Sequence, residues 1–324
     1  MTKRKRQKIK NAKNFVVKIT LPLGFIVLFL WLLFFAIYQK KPDIQIFPEN
    51  PKQGDTVLIR VREKNGNISG DFDGKKLVFL KTNKSDWETF LGIDVKINPG
   101  VHKMNIYLPG KKIEKDIAVS TGEFSSYKMI ISDDLKKKGF TANKVIENTV
   151  KKDNPSLEKA IENFTPEPYF SESFSFPLEK MNYGGFSFGE FIKVGDYQLQ
   201  HLGVDLETPI GTEVFAINRG KIVLAQELSN YGKTLVIDHG LGIFSMCLHL
   251  SEFKVSFGDI VEKKQIIGLS GNTGYSTAPH LHFSIRLNNA KVDPVAFIKM
   301  TQKANGNVNL ADIGRALINF LFGK

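Results

Sequence analysis

The sequence predicts a mainly β protein: a membrane-spanning helix, an immunoglobulin-like β-sandwich, a partly helical connection and an antiparallel β domain, in that order. Three observations carry this reading. Residues 19–39 hold no charged side chain. Six short apolar or β-branched runs fall between residues 43 and 119, and six more between 213 and 269. Both sets are divided by glycine and proline turn signals, the pattern of strands in antiparallel sheets.

The chain has 324 residues and a formal net charge of +12, from 45 Lys and Arg against 33 Asp and Glu. That length accommodates two domains and a buried core. Residues 1–14 carry Lys3, Arg4, Lys5, Arg6, Lys8, Lys10 and Lys13 and no acid. A basic tract of this kind suits nucleic acid, but the apolar stretch behind it speaks against that partner. Residues 15–39 make a helix long enough for the roughly 30 Å of a bilayer core. Cations ahead of it place the N-terminus in the cytoplasm. The expected location is the cytoplasmic (inner) membrane, crossed once, with everything beyond residue 40 on the extracytoplasmic side. A cleavable signal peptide is the rival reading. It has a shorter apolar core and small residues at its exit, where this chain has Phe35, Ile37 and Tyr38.

Residues 40–120 form the expected sandwich, with strands at 43–47, 56–61, 77–80, 91–97, 101–108 and 113–119. Roughly six short strands in about eighty residues suit an immunoglobulin-like arrangement. His102 reads as an exposed strand residue. Residues 121–173 form the connection. Ser156 is placed to cap a helix whose apolar positions recur at 157, 160, 161 and 164. Pro166 and Pro168 mark the boundary into the next domain.

Residues 174–298 hold strands at 213–217, 221–226, 234–238, 243–250, 259–261 and 265–269. Strict alternation in 245–250 puts Cys247 and His249 on one strand face. Cys247 is the only cysteine, so no internal disulfide forms. It reads as a small buried apolar residue, or as a neighbour of whatever His249 faces. His201 and Asp205 offer nitrogen and oxygen ligands close together, as a divalent metal requires. His280 and His282 lie two residues apart, on one face of a strand at about 7 Å. One of that pair can ligate while the other reaches a bound water. His239 reads as a turn residue. The loop at 271–277 lacks the lysine and the strand-to-helix context of a phosphate-binding loop.

His-Leu-Gly-Val-Asp at 201–205, Val-Ile-Asp-His-Gly at 236–240, Leu-His-Leu-Ser at 248–251 and Pro-His-Leu-His-Phe at 279–283 together resemble the lysostaphin-type (LytM-like) zinc metalloendopeptidases. The likeness runs from about 174 to 297, and the preceding β-domain resembles the accessory domain of some membrane-anchored relatives. The resemblance implies one Zn2+ per chain, with His201, Asp205 and His282 as metal ligands. It further implies that His249 and His280 are catalytic, flanking a zinc-bound water that attacks peptide bonds in peptidoglycan stem peptides or cross-links. Imidazoles of near-neutral pKa suit that exchange of protons. Cell-envelope proteins are further expected partners. Three positions depart from the family pattern. Phe191 stands where relatives carry Arg, with Lys193 as a candidate substitute; Cys247 stands where many carry Tyr; Ala278 stands where many carry Gly.

The alternative reading is a non-catalytic regulator of another wall hydrolase, a role in which relatives lose metal ligands that this chain keeps. A sugar-phosphotransfer carrier is disfavoured by the anchor, because its phosphoryl donors are cytoplasmic. Residues 299–324 read as a helical tail, with apolar positions at helical spacing in 309–322.

Overall fold

The computed structural model describes residues 26, 28–31, 42–64, 66–82 and 85–305, and the side chains through 302. The expected anchor at 15–39 therefore falls almost wholly outside the described residues, as do the basic segment 1–14 and the apolar stretch at 309–322. Among the described residues no helix is long and apolar enough to cross a membrane. Described residues from Ile44 onward belong to one compact unit.

Eight strands come first: β1 Asp43–Phe47, β2 Thr56–Arg62, β3 Ser69–Phe72, β4 Lys75–Val78, β5 Leu80–Lys81, β6 Asp86–Gly92, β7 Gly100–Leu108 and β8 Lys111–Val119. They form two four-stranded sheets, in the orders β1-β2-β6-β5 and β4-β3-β7-β8. Alternate residues of both sheets, including Val57, Ile59, Val61, Met104, Ile106 and Ile117, meet in one apolar core. Two differences from the sequence reading stand out. Ser69–Phe72, which falls between the strands expected at 56–61 and 77–80, is itself a strand paired on both sides. The strand expected at 91–97 ends at Gly92, where a Cβ would lie 2.9 Å from the Ala290 side chain and from Leu287 O. His102 is partly buried, its ring bonded to Asp73 Oδ2 at 2.6 Å and Asn98 O at 2.8 Å.

The connection supplies β9 Ser126–Met129, α1 Asp133–Lys137 and α2 Ala142–Asn148, then a π-helical turn Thr149–Asp153 leading into α3 Asn154–Ala160. Ser132 and Thr141 cap α1 and α2, their hydroxyls accepting from Leu135 N and Lys144 N. Ser156 is not a cap, because helix already precedes it; its hydroxyl donates to Lys152 O at 2.9 Å. The wider turn falls just before Pro155, whose ring and missing N–H are poorly tolerated by an α-helical ladder. Phe164 lies beyond the helix and is about half exposed.

The remaining strands are β10 Phe191–Val194, β11 Tyr197–Gln200, β12 Val204–Glu207, β13 Glu213–Phe215, β14 Gly220–Leu228, β15 Gly232–Asp238, β16 Ile243–Leu250, β17 Glu252–Phe253, β18 Ile260–Val261, β19 Ile266–Leu269, β20 His280–Leu287 and β21 Ala290–Val292, before helix α4, Pro294–Asn305. The largest sheet runs β12-β20-β16-β15-β14-β18, with β21 on β20. One of its faces is sealed by the main core, with Leu281, Phe283 and Ile285 fully buried. The other face carries Val236, Phe244, Met246 and Leu248, against which α3 packs Leu157. The sandwich docks on this unit through backbone bonds Asp293 N to Gly54 O and Val95 N to Lys291 O, with Phe90 against Phe297.

Candidate metal centre and cleft

Sheet register builds the site. Asp205 on β12 stands directly opposite His282 on β20, and His201 enters from the turn after β11. The turn passes so close to β20 that a Cβ on Gly203 would lie 2.5 Å from Phe283 O and 2.6 Å from His282 Nε2. His201 Nε2 lies 3.1 Å from Asp205 Oδ1 and 2.9 Å from His282 Nδ1, and that nitrogen lies 2.8 Å from the same carboxylate oxygen. Two imidazole nitrogens and a carboxylate oxygen thus converge within 4.8 Å. This is a donor set suited to zinc. His201 Nδ1 donates to Ser187 O at 3.0 Å, which fixes the tautomer and turns the Nε2 lone pair inward.

Burial pushes the Asp205 carboxyl up, but the adjacent His201 charge and bonds from His201 and His282 outweigh it and hold the group well below the carboxylate range. Burial also lowers His201, yet the Asp205 charge leaves it raised. Burial pushes His282 down to about 4. Asp205 and His282 are thereby kept in the forms a metal binds, ionised carboxylate and neutral imidazole, whereas Asp205 favours the protonated form of His201.

The other two histidines complete the cluster. The His280 Nε2 lies 3.6 Å from Asp205 Oδ1, while its Nδ1 faces Ala278 O at 2.8 Å and Ser276 Oγ at 3.1 Å. His249 Nδ1 donates to Thr273 O at 2.8 Å, and its ring centroid is 4.8 Å from that of His280. Burial, reinforced by His280 and His282, pushes His249 down to about 3. The structure therefore brings His201, Asp205, His249, His280 and His282 to one place.

Cys247 and His249 do not share a face. His249 has φ of 61°, a left-handed conformation that turns its ring to the cleft with Leu248, while Cys247 stays in the main core. Strict alternation fails at this one residue. His239 is fully buried away from the cluster, its Nδ1 donating to Arg219 O and its Nε2 accepting from Ser245 Oγ. Phe191 packs edge-on against Phe124 and Lys193 is exposed. Ile192 and Val194, not these two, line the cleft. Lys193 therefore does not replace the absent guanidinium.

The histidines open into a cavity of about 240 Å³. Its walls include Val145, Thr149 and Leu157 from the helical connection, and Met246 and Leu248 from β16. Asp153 anchors that connection, its carboxylate accepting from Ser229 N, Asn230 N and Tyr231 N at 3.0, 2.6 and 3.3 Å. Arg286 and Tyr275 also line the cavity and were missed by the motif reading.

Residues 199–294, which carry this entire cluster, match the sequence model of Peptidase family M23. The chain carries an M23 peptidase domain. Its relatives include lysostaphin of Staphylococcus simulans, 42% identical over 133 residues that span 38% of this chain and 27% of that protein. The peptidoglycan DD-endopeptidase ShyB of Vibrio cholerae is 39% identical over 93 residues, 29% of this chain and 22% of ShyB. The chain spans between 24% and 33% of the length of lysostaphin and the related glycyl-glycine endopeptidase ALE-1 of Staphylococcus capitis. The crystal structure of a putative M23 peptidase from Pseudomonas aeruginosa shares the fold more widely, with a TM-score of 0.56 and 26% identity over 77% of this chain and 95% of that one. The M23 match begins at residue 199, so the two β-sheets of the sandwich and the helical wall of the cleft lie outside it.

Proposed function

We propose that the chain is a zinc-dependent endopeptidase that hydrolyses peptide bonds in peptidoglycan stem peptides or cross-links. The observation that carries this reading is the convergence of His201, Asp205 and His282 on one point, with His249 and His280 beside them in a cleft. The substrate class is supported by the relatives' activities as their names state them, a peptidoglycan DD-endopeptidase and a glycyl-glycine endopeptidase.

His201, Asp205 and His282 would hold one zinc ion per chain, which would supply Lewis-acid polarisation of the scissile carbonyl and a more acidic water. The remaining work belongs to side chains. His249 is neutral and anchored through Nδ1 to Thr273 O, so its Nε2 lone pair is the free proton acceptor. His280, anchored to Ala278 O, presents its own Nε2 on the other side of the reacting centre. One ring takes the proton of the attacking water and the other supports the developing oxyanion or returns a proton to the leaving amine.

The substrate lies outside the cytoplasm, and the uncharged stretch at 19–39 behind a basic segment supports a single-pass anchor in the cytoplasmic membrane with the M23 domain on the outer side. Envelope proteins are candidate partners for the sandwich. The test is zinc content and cleavage of peptidoglycan peptides by the full chain in detergent, with and without chelator. One zinc per chain and chelator-sensitive products are expected. Stoichiometric zinc without cleavage of any stem-peptide dimer would shift the reading to a regulator of another wall hydrolase.

A further inference from the structure

The cleft floor carries one cation that the metal centre does not use. Along β20 the residues Leu281, Phe283, Ile285 and Leu287 enter the core. His280, His282, Ser284 and Arg286 take the opposite face and all line the cavity. Arg286 is only 7% exposed. A guanidinium has five N–H donors and keeps its charge in any protein environment. Here it makes a single long hydrogen bond, from Nη1 to Ile285 O at 3.5 Å, and its buried Nε has no partner. No carboxylate pairs with it among the described residues. Asp94, itself paired with Lys291 at 3.7 Å, and Glu158 are near enough for their charges to act on Arg286, but neither forms an ion pair with it.

A buried, unpaired guanidinium is costly to keep, by several kcal/mol in general. Its natural complement is a carboxylate, which offers two coplanar acceptors to the two-pronged donor edge. Lys96, which forms no ion pair among the described residues, lines the same cavity and adds positive charge to it.

We infer that Arg286 is a specificity residue that binds a carboxylate of the peptide substrate. This rests on the endopeptidase reading. Four residues along a strand separate Arg286 from His282, or roughly 13 Å, so the carboxylate it receives belongs to a unit about three or four residues from the scissile bond.

The experiment is a two-by-two comparison on the full chain in detergent: wild type and Arg286→Met, each with cross-linked stem-peptide dimers bearing free carboxylates and with the same dimers amidated. Such a cycle isolates the pair from the general effects of either change. The wild type is expected to favour the free-acid dimer in kcat/KM by roughly 10- to 100-fold, as for a charged hydrogen-bonded pair. Arg286→Met is expected to lose that preference while retaining zinc. Arg286→Lys, which keeps charge but not the fork, is expected to fall between. Equal preference in wild type and Arg286→Met overturns the inference. So does a wild type that cleaves both dimers equally. A lower Tm in Arg286→Met with unchanged preference also overturns it, and marks a structural arginine. If zinc-loaded wild type cuts neither dimer, the endopeptidase reading fails separately. The ratio of dimer Kd values, measured by calorimetry on the same four combinations, then decides the carboxylate site: loss of acid preference in Arg286→Met supports it, and an unchanged ratio overturns it.

Discussion

At the scale of single residues, the histidines of the cluster differ in which nitrogen faces inward. His282 is packed under Gly203 and points Nδ1 at Asp205, whereas His280 is held from behind by Ala278 O. His282→Ala is expected to abolish zinc binding. His280→Ala is expected to keep zinc and lose cleavage by at least about 100-fold, as for a general acid–base group; zinc content and turnover on one preparation check both. Gly203→Ala forces a Cβ against Phe283 O and His282, and is expected to weaken zinc affinity roughly 10- to 100-fold, read by competition with a chelator. His239 gives a pH signature distant from the metal. Burial pushes it down to about 4, against about 6.5 when unfolded. The unfolded chain therefore binds more protons between these values, and stability falls as pH falls from about 6.5 towards 4. Over that window His239 accounts for roughly 3 kcal/mol, and His239→Gln is expected to flatten the slope of stability against pH by about one proton. Four of the five clustered residues stand in paired spacings, four residues from His201 to Asp205 and two from His280 to His282, that bring donors close together, but it was the family resemblance that joined the pairs and added His249. The orientation of His249 was not legible. Its φ of 61° breaks the alternation on which a face assignment depends. Arg286 was legible by that same alternation from His282, but carried no motif to draw attention to it.

At the scale of elements, the helical connection is the cleft's side wall, and its strength comes from two sources. Leu157 inserts among Val236, Phe244, Met246 and Leu248, and Asp153 ties down the turn at 229–231. Leu157→Ala is expected to cost about 2–5 kcal/mol, seen as a lower denaturant midpoint, and to enlarge the cleft. In the M23 domain punctuation marked β14, β15, β16 and β19, which fall on the runs at 221–226, 234–238, 243–250 and 265–269, but not β12, β17 or β21. The sandwich was harder. Ser69–Phe72 owes its pairing to β4 and β7 on either side, a tertiary fact that a stretch containing Gly70 and Asp71 does not announce. The helix start failed for a related reason: Ser156 looks like a cap only if helix does not already exist before Pro155, and the π-helical turn carries it through.

At the scale of the molecule, the described residues from Ile44 onward behave as one unit. The backbone bonds between Asp293 and Gly54 and between Val95 and Lys291 stitch the sandwich to β21 and α4, directly behind β20. Calorimetry is expected to show one cooperative transition for sandwich and M23 domain together, because neither set of strands can be exposed without opening this seam; two resolved transitions would contradict it. Cooperativity of this kind was not readable from composition, which marks boundaries at prolines but says nothing about what crosses them.

Cys247 has a practical consequence. As the only thiol in the chain, 3% exposed and pushed by burial up to about 12, it is silent towards alkylating reagents while the fold is intact. A cysteine introduced at the cleft rim would therefore be labelled alone. Pairs of spin labels or fluorophores placed on the helical wall and on the opposite rim can then report cleft width in an otherwise native chain, without first removing any residue.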